Sequence, residues 1–421
     1  MSEWNRVPFS DLLVESRDGE WGQGQEIFGH QMCEVIRGTD FANLNDSNIE
    51  LPLRWIPDHL VKRKKLEIGD ILFEMAGGTA KQSTGRSALL RNGFFQHHQG
   101  YPILCASFCR HLRLDRKQYD PTFIYYLLQV LYAAGYMAVF NIQHTGVSRF
   151  QYTSFKKQTV LDVPILSTQR KIAAILSTYD DLIENNQRRI ALLERMAEEL
   201  YREWFVRMRF PGHEQVKKVK GVPDGWRTLR FSELCEFQKG KTPDEYTAEQ
   251  QAGYLPYINV EFIEGQNTEY VLRKKNSIVC DDGDVLMLMD GARSGLVFRA
   301  KRGIVGSTFA KVETNLIYRD YIFEFLKASR ERIVSNNTGS AIPHANKEFI
   351  HRLVLFLPTS DDLIIEFNSR YQNLFLQALN LQLQNELLMR TRDALLPRLI
   401  SGKLSVENLD IQFPPSMEEA A

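Results

Sequence analysis

Ser167–Val206 reads STQRKIAAILSTYDDLIENNQRRIALLERMAEELYREWFV, and the placing of its apolar residues decides the fold. Ile172, Leu176, Tyr179, Ile183, Ile190, Leu193, Ala197, Leu200 and Trp204 recur at steps of four and three, with Asn186 alone breaking the row. That is the spacing of a coiled-coil seam. Ser360–Ile400 repeats it with Ile364, Phe367, Tyr371, Leu374, Ala378, Leu381, Asn385, Leu388, Arg392, Leu395 and Leu399. Set antiparallel with Asn186 opposite Asn385, the stretches pair Ile172 with Leu399, Leu176 with Leu395, Ile183 with Leu388 and Trp204 with Phe367. Leu193 then meets Ala378 and Ala197 meets Leu374, large against small, which fills space without voids. A buried amide pair costs some stability but penalises other registers, because sliding strands each amide against hydrocarbon. The spacing predicts an antiparallel helix pair about 50 Å long. Two amphipathic helices on separate cores are the alternative.

Working outward, Pro164 and Pro358 precede the two stretches and restrict the residue before them away from helical angles, so Ser167 and Ser360 are the expected caps. Phe210-Pro211-Gly212 and Ser401-Gly402-Lys403-Leu404 are the expected exits, each with its glycine. These signals divide the chain into a globular block over 1–165, a helical spacer over 166–210, a second block over 211–358, a distal spacer over 359–404 and a tail over 405–421.

The blocks resemble each other. Trp4 followed by Phe9-Ser10-Asp11-Leu12 is matched by Trp226 followed by Phe231-Ser232-Glu233-Leu234. Ile36-Arg37-Gly38-Thr39-Asp40-Phe41 is answered by Tyr257-Ile258-Asn259-Val260-Glu261-Phe262, and Ile68-Gly69-Asp70-Ile71-Leu72-Phe73 by Asp282-Gly283-Asp284-Val285-Leu286-Met287. Gly-rich loops follow at Thr84-Gly85-Arg86-Ser87 and Arg293-Ser294-Gly295-Leu296, then strands opening at Ser107-Phe108 and Thr308-Phe309. Short helices are expected at Phe123–Leu128 and Tyr321–Leu326, and final loops at His144-Thr145-Gly146-Val147 and Asn337-Thr338-Gly339-Ser340. The reading is an α+β chain: two similar globular domains separated by two long helices that form an antiparallel coiled coil, with pseudo-twofold symmetry. Such an arrangement suits a target made of two half-sites, as DNA is when a dimer reads it.

With 421 residues, 43% of them hydrophobic, the chain has material for more than one core. Lys plus Arg and Asp plus Glu balance at 52 each, so any basic surface is local. Cys33, Cys105, Cys109, Cys235 and Cys280 are odd in number and scattered, which favours reduced thiols in a cytoplasmic protein and no metal site. No apolar run approaches the roughly 18 residues that span a bilayer, so no membrane is expected.

Catalytic signatures are missing. There is no GxxxxGK[ST] loop for ATP. Asp120-Pro121-Thr122-Phe123 is close to the Asp/Asn-Pro-Pro-aromatic motif of amino-methyltransferases, but it lacks the second proline and sits at a helix entrance. His97-His98 has no evident carboxylate partner and reads as a surface or DNA-contacting pair. Basic clusters at Lys62-Arg63-Lys64-Lys65, Arg273-Lys274-Lys275 and Arg299-Ala300-Lys301-Arg302 can neutralise phosphates, or simply be solvated charge. The repeated loops are the better DNA-contacting candidates. Lys81, Gln82, Thr84 and Arg86 are matched by Arg293 and Ser294, and Gln143, His144 and Arg149 by Asn336, Asn337, Ser340 and His344. These side chains hydrogen-bond base edges, arginine to guanine and glutamine to adenine. The blocks differ most in these loops, so they are expected to read different sequences.

Gln169-Arg170-Lys171-Ile172-Ala173-Ala174-Ile175-Leu176, Asp180-Asp181-Leu182-Ile183, Leu200-Tyr201-Arg202-Glu203-Trp204-Phe205 and Phe210-Pro211-Gly212 together resemble the central region of the specificity (S) subunits of Type I restriction-modification enzymes. Leu395-Leu396-Pro397-Arg398-Leu399-Ile400-Ser401-Gly402-Lys403-Leu404 is similar to that family's distal helix end. The resemblance covers nearly the whole chain. It implies a non-catalytic subunit with two target-recognition domains that binds double-stranded DNA at an asymmetric bipartite sequence. It also implies two modification (methyltransferase) subunits and two ATP-driven restriction subunits as partners. S-adenosylmethionine, ATP and magnesium would belong to those partners, and this chain would bind none of them. A coiled-coil scaffold that joins proteins without touching DNA is the competing reading.

Overall fold

The computed structural model describes residues 4–44, 49–78, 82–144, 147–219, 221–339, 341–414 and 417, with the side chains of 78, 143, 144 and 147 excepted. The chain divides into two compact units, one of Met1–Arg188 with Leu381–Ala421 and one of Arg189–Asn380.

In the first unit, Gly69 takes a left-handed φ of 82° and turns the chain into Ile71–Glu74, a strand buried along its whole length. It is central in an antiparallel sheet ordered Leu13–Asp18, Cys109–Leu114, Ile71–Glu74, Ser87–Leu89. A mixed sheet places His30–Ile36 between antiparallel Leu53–Pro57 and parallel Ile103–Cys105. Asn5–Pro8 pairs with Val160–Val163 just before the long helix and closes the lobe. The core is rich in phenylalanine, with Phe9, Phe73, Phe150 and Phe155 meeting at centroid distances of 4.8 to 5.7 Å.

The second unit repeats this plan. Its antiparallel sheet runs Cys235–Lys239, Phe309–Thr314, Val285–Leu288, Val297–Arg299. Tyr254–Ile258 lies between antiparallel Tyr270–Leu272 and parallel Gly303–Val305, and Trp226–Arg230 pairs with Val354–Pro358. One glycine is required in each copy. A Cβ on Gly19 or on Gly240 would lie 2.2 Å from a backbone carbonyl, of Cys105 and Ala106 or of Val305 and Gly306. The shared backbone also corrects several expected alignments, two of them in the sheets by one residue. Ala106 donates to Ile36 and Gly306 to Ile258, so Ile36 corresponds to Ile258 and not to Tyr257. Met75 donates to Phe108 and Met289 to Thr308, so Phe108 corresponds to Thr308, and Ser107 does not. Short similar runs slide by one residue in a sequence comparison, but a hydrogen-bonded register does not.

The long helices are Leu166–Tyr201 and Asp362–Ile400. Within the first unit they run antiparallel: Asn186 Nδ2 donates to Asn385 Oδ1 at 2.9 Å, and Asp180 meets Arg392 at 2.6 Å. Ile172, Leu176 and Leu399 share that unit's core. Within the second unit, Trp204 packs on Phe367 at 6.0 Å and Ala197 and Tyr371 join the core.

Two expected helix ends differ. Ser167 is already inside the first turn, and the start is pinned by buried Gln169, which donates to Pro164 O at 2.8 Å and accepts from Asp120 N–H at 2.9 Å. Ser360 does act as expected, its Oγ accepting from Asp362 N–H at 3.3 Å. Gly212 does not end the first helix. Arg202–Val206 forms a wider turn in which Arg207 N–H reaches Arg202 C=O, and the left-handed residue is Met208 at φ 56°. Trp204 and Phe205, consecutive in this wider turn, are both buried in the second unit's core.

Buried charges anchor each lobe to its helices. Asp180 accepts from Arg91 at 2.7 Å, Tyr126 at 2.5 Å and Arg392 at 2.6 Å. In the second unit Arg299 pairs with Asp320 at 2.7 Å, so it is not the surface cation the sequence suggested. Nearby, Tyr371 donates to buried Glu324 at 2.8 Å. Burial raises the pKa of Asp180, but Arg91, Tyr126 and Arg392 outweigh it and hold the carboxyl below its ordinary range. Burial pushes Glu324 up, despite Lys327 and Tyr371.

Two predictions follow from these buried groups. Asn186→Ala leaves Asn385 without its amide partner and should cost about 1–3 kcal/mol, whereas replacing both asparagines by leucine should raise Tm. Thermal unfolding of the three proteins checks this. The carboxyls should respond oppositely to pH. A depressed folded pKa stabilises above the unfolded value and is lost in acid, and a raised one penalises the ionised form. Asp180→Asn should therefore lower stability at neutral pH by about 3 kcal/mol, with the deficit closing below about pH 4. Glu324→Gln should raise Tm at neutral pH, with the gain vanishing below about pH 4. Tm measured across pH gives both signs.

Candidate nucleic-acid interface

In the first unit Asn141–His144 and Val147–Phe150 form a hairpin whose second strand pairs with Ala76–Gly78. This brings the two predicted loops together. Gly85, at φ 93°, leaves no room for a side chain: a Cβ would lie 2.9 Å from the Phe150 ring. Beside it, fully buried Thr84 donates through Oγ1 to Asn141 Oδ1, which ties the Gly-rich loop to the base of the hairpin.

The predicted residues therefore do different jobs. Thr84 is a tether and is not exposed to read bases. Arg86 grips buried Glu74 through two hydrogen bonds and donates to Gly38 O at 3.1 Å, so its guanidinium is committed to an internal carboxylate. A buried carboxylate without a cation would be far costlier than a lost surface contact. Gln82 and Arg149 are exposed. Lys81 lies outside the described residues; Gln143 and His144 are placed on the hairpin strand by their backbone, and their side chains are likewise outside the description.

The second unit builds the same corner with less regular pairing. His344 bridges Asp290 on one side and Thr338 on the other. Gly295 repeats the left-handed turn at φ 96°, and buried Ser294 accepts from Asn337 Nδ2 at 2.8 Å. Asp290, which sequence reading missed, accepts from His344 Nδ1 at 2.8 Å and from Lys239 at 3.0 Å. Burial raises its pKa, but His344 and Lys239 outweigh that and hold the carboxyl below its ordinary range. Arg293 is exposed and pairs with Glu264, Asn336 donates to Arg332 O at 2.8 Å, and Ser340 lies outside the described residues.

Other sequence candidates are sorted by their partners. Lys64 pairs with Glu20 at 3.1 Å and Lys274 with Asp244 at 2.5 Å, while Lys62, Arg63, Lys65, Arg273, Lys275 and Lys301 are exposed. His98 is not a surface histidine: it lies against Phe94 and its Nδ1 meets Glu34 at 2.9 Å. Asp120 caps its helix by accepting from Phe123 N–H at 2.9 Å. All five cysteines are buried and unpaired, and burial pushes the Cys105 thiol up to about 12. Asn141 was missed because the sequence set His144 against Asn337; the backbone pairings place Asn141 there instead. Asp290 carried no signal in the sequence.

If the tethers hold the hairpins, Asn141→Ala should leave the Thr84 hydroxyl unpaired and loosen the corner by about 1–3 kcal/mol. Hydrogen exchange should quicken at Phe150 N–H and its hairpin neighbours and stay unchanged in the long helices. Asn337→Ala should do the same at Ala345 N–H.

The sequence model of the family described as "Type I restriction modification DNA specificity domain" matches residues 55–195 and 223–389. The specificity subunit of the Type I restriction enzyme MjaVIII from Methanocaldococcus jannaschii is 30% identical over 201 residues, covering 46% of this chain and 47% of that protein, so this match spans about half of the relative. The MjaIX specificity subunit of the same organism is 26% identical over 399 residues, covering 89% of this chain and 87% of its own. A crystal structure of the S subunit of a Type I restriction-modification system from M. genitalium matches with a TM-score of 0.55 at 17% identity, over 94% of this chain and 96% of that one, a likeness of fold. Matched once in each copy of its repeat and over most of its length, this chain belongs to the Type I restriction-modification DNA specificity family.

Proposed function

We propose that this chain is a non-catalytic DNA-recognition subunit that reads an asymmetric bipartite duplex, one half-site per lobe. It positions two modification (methyltransferase) subunits on that duplex, and through them two restriction subunits. The observation that carries this reading is one backbone corner used twice with different side chains: Arg149 on one hairpin, His344 with Asp290 on the other. Two copies with the same chemistry would suit a symmetric target, and two copies with different chemistry suit an asymmetric one. S-adenosylmethionine, ATP and magnesium act in the partner subunits. The long helices set the unspecified gap between half-sites, which must lie about one turn apart, about 34 to 36 Å, to be met from one face. Unpartnered apolar side chains on those helices, Leu383 and Leu387 in one unit and Leu192 and Met196 in the other, offer the methyltransferase subunits a surface.

Fluorescence anisotropy with duplex DNA, with and without the methyltransferase subunit, tests the reading. Binding should weaken as salt rises, by close to one log unit of affinity per log unit of salt for each phosphate neutralised. Absence of salt-dependent binding under both conditions would return the chain to the scaffold class. Exchanging Met1–Val163 for the block of a relative should change one half-site of the methylated sequence and leave the other intact, as read by methylation-aware sequencing.

A further inference from the structure

Backbone hydrogen bonds align the two hairpin corners residue by residue. Phe150 N–H reaches Met75 O at 2.9 Å, as Ala345 N–H reaches Met289 O at 2.8 Å. Gly85 N–H reaches Glu74 O at 3.2 Å, as Gly295 N–H reaches Leu288 O at 2.8 Å. Under this alignment Thr84 corresponds to Ser294 and Asn141 to Asn337, so the tether is repeated. Arg149 corresponds to His344, and the residues facing them across the strand pair, Ala76 and Asp290, correspond as well. The holding parts are alike and the presented parts are not.

The presented parts have opposite hydrogen-bonding sense. Arg149 is exposed, faces an alanine, and its side chain makes no hydrogen bond or ion pair among the described residues. It offers only donors. His344 is 49% exposed and its Nδ1 meets the Asp290 carboxylate at 2.8 Å. A carboxylate has no proton to give, so Nδ1 donates, and in the neutral ring Nε2 is left as an acceptor. With the ring neutral, a carboxylate on the neighbouring strand thus turns a position that donates into one that accepts.

Resting on the DNA-recognition reading above, we propose that the position shared by Arg149 and His344 determines one base in each half-site, its hydrogen-bonding sense set by the residue opposite, Ala76 or Asp290. Arg149 donates to guanine O6 and N7. His344 accepts from the exocyclic amino group of adenine or cytosine. These are the donor and acceptor patterns that the major groove displays.

The test is selection from randomised duplex pools by the full chain together with its methyltransferase subunit. Arg149→Ala should reduce the preference for guanine at one position of one half-site by roughly 5- to 150-fold and leave the other half-site unchanged. Arg149→Lys should keep the overall affinity but lose much of that preference, since a single ammonium cannot grip both guanine acceptors in a fixed fork. His344→Ala should relax one position in the other half-site alone. The double substitution Ala76→Asp with Arg149→His should shift the first position from guanine to an amino-bearing base. If the native chain selects a bipartite motif and Arg149→Ala and His344→Ala both keep it at every position, or if either one alters both half-sites, this inference is overturned and DNA recognition stands. If the native chain selects no motif and binds no duplex, DNA recognition itself falls.

Discussion

The amide pair of Asn186 and Asn385 is the constraint from which the helical part of the structure follows. Leucine seams alone tolerate sliding by a heptad, because one apolar row packs on another nearly as well after the shift. Each asparagine is 6% exposed, and a shift would place both against hydrocarbon with no partner. With that register set, Asp180 faces Arg392 in one unit and Trp204 faces Phe367 in the other. The cost of two buried amides is the cost of having one arrangement of the helices in place of several.

The lobes show how a duplicated backbone is kept while its surface changes. What recurs holds the backbone in place: Gly19 and Gly240 against carbonyls, Gly85 and Gly295 in left-handed turns, a hydroxyl beside an asparagine. What varies lies on the exposed side of the same hairpin, where a substitution disturbs little packing. The exposed residues of such a corner can change without refolding the lobe, provided the tether is left alone.

Arginines that the sequence offers as equal candidates have quite different lives. Arg86 neutralises buried Glu74 and Arg299 neutralises buried Asp320, while Arg149 has no partner among the described residues. An arginine facing a buried carboxylate cannot be diverted to a ligand without exposing that carboxylate to an apolar surround. Only the last of these is available to another molecule.

The sequence by itself determined the elements whose signal is periodic or repeated. These are the two long helices, the opposition of their asparagines, the duplication, and the loops on which variation concentrates. Periodicity survives in a string because one face of a helix samples it every three or four residues. It missed Asp290 and the commitment of Arg86, placed His98 on the surface, slid several alignments between the copies, and put the end of the first helix at Gly212. Those depend on which side chains from distant segments share a buried volume, and on hydrogen bonds between backbones far apart in the chain. No local pattern records them, so only the tertiary structure decided which of the candidate residues hold the corner together and which face outward.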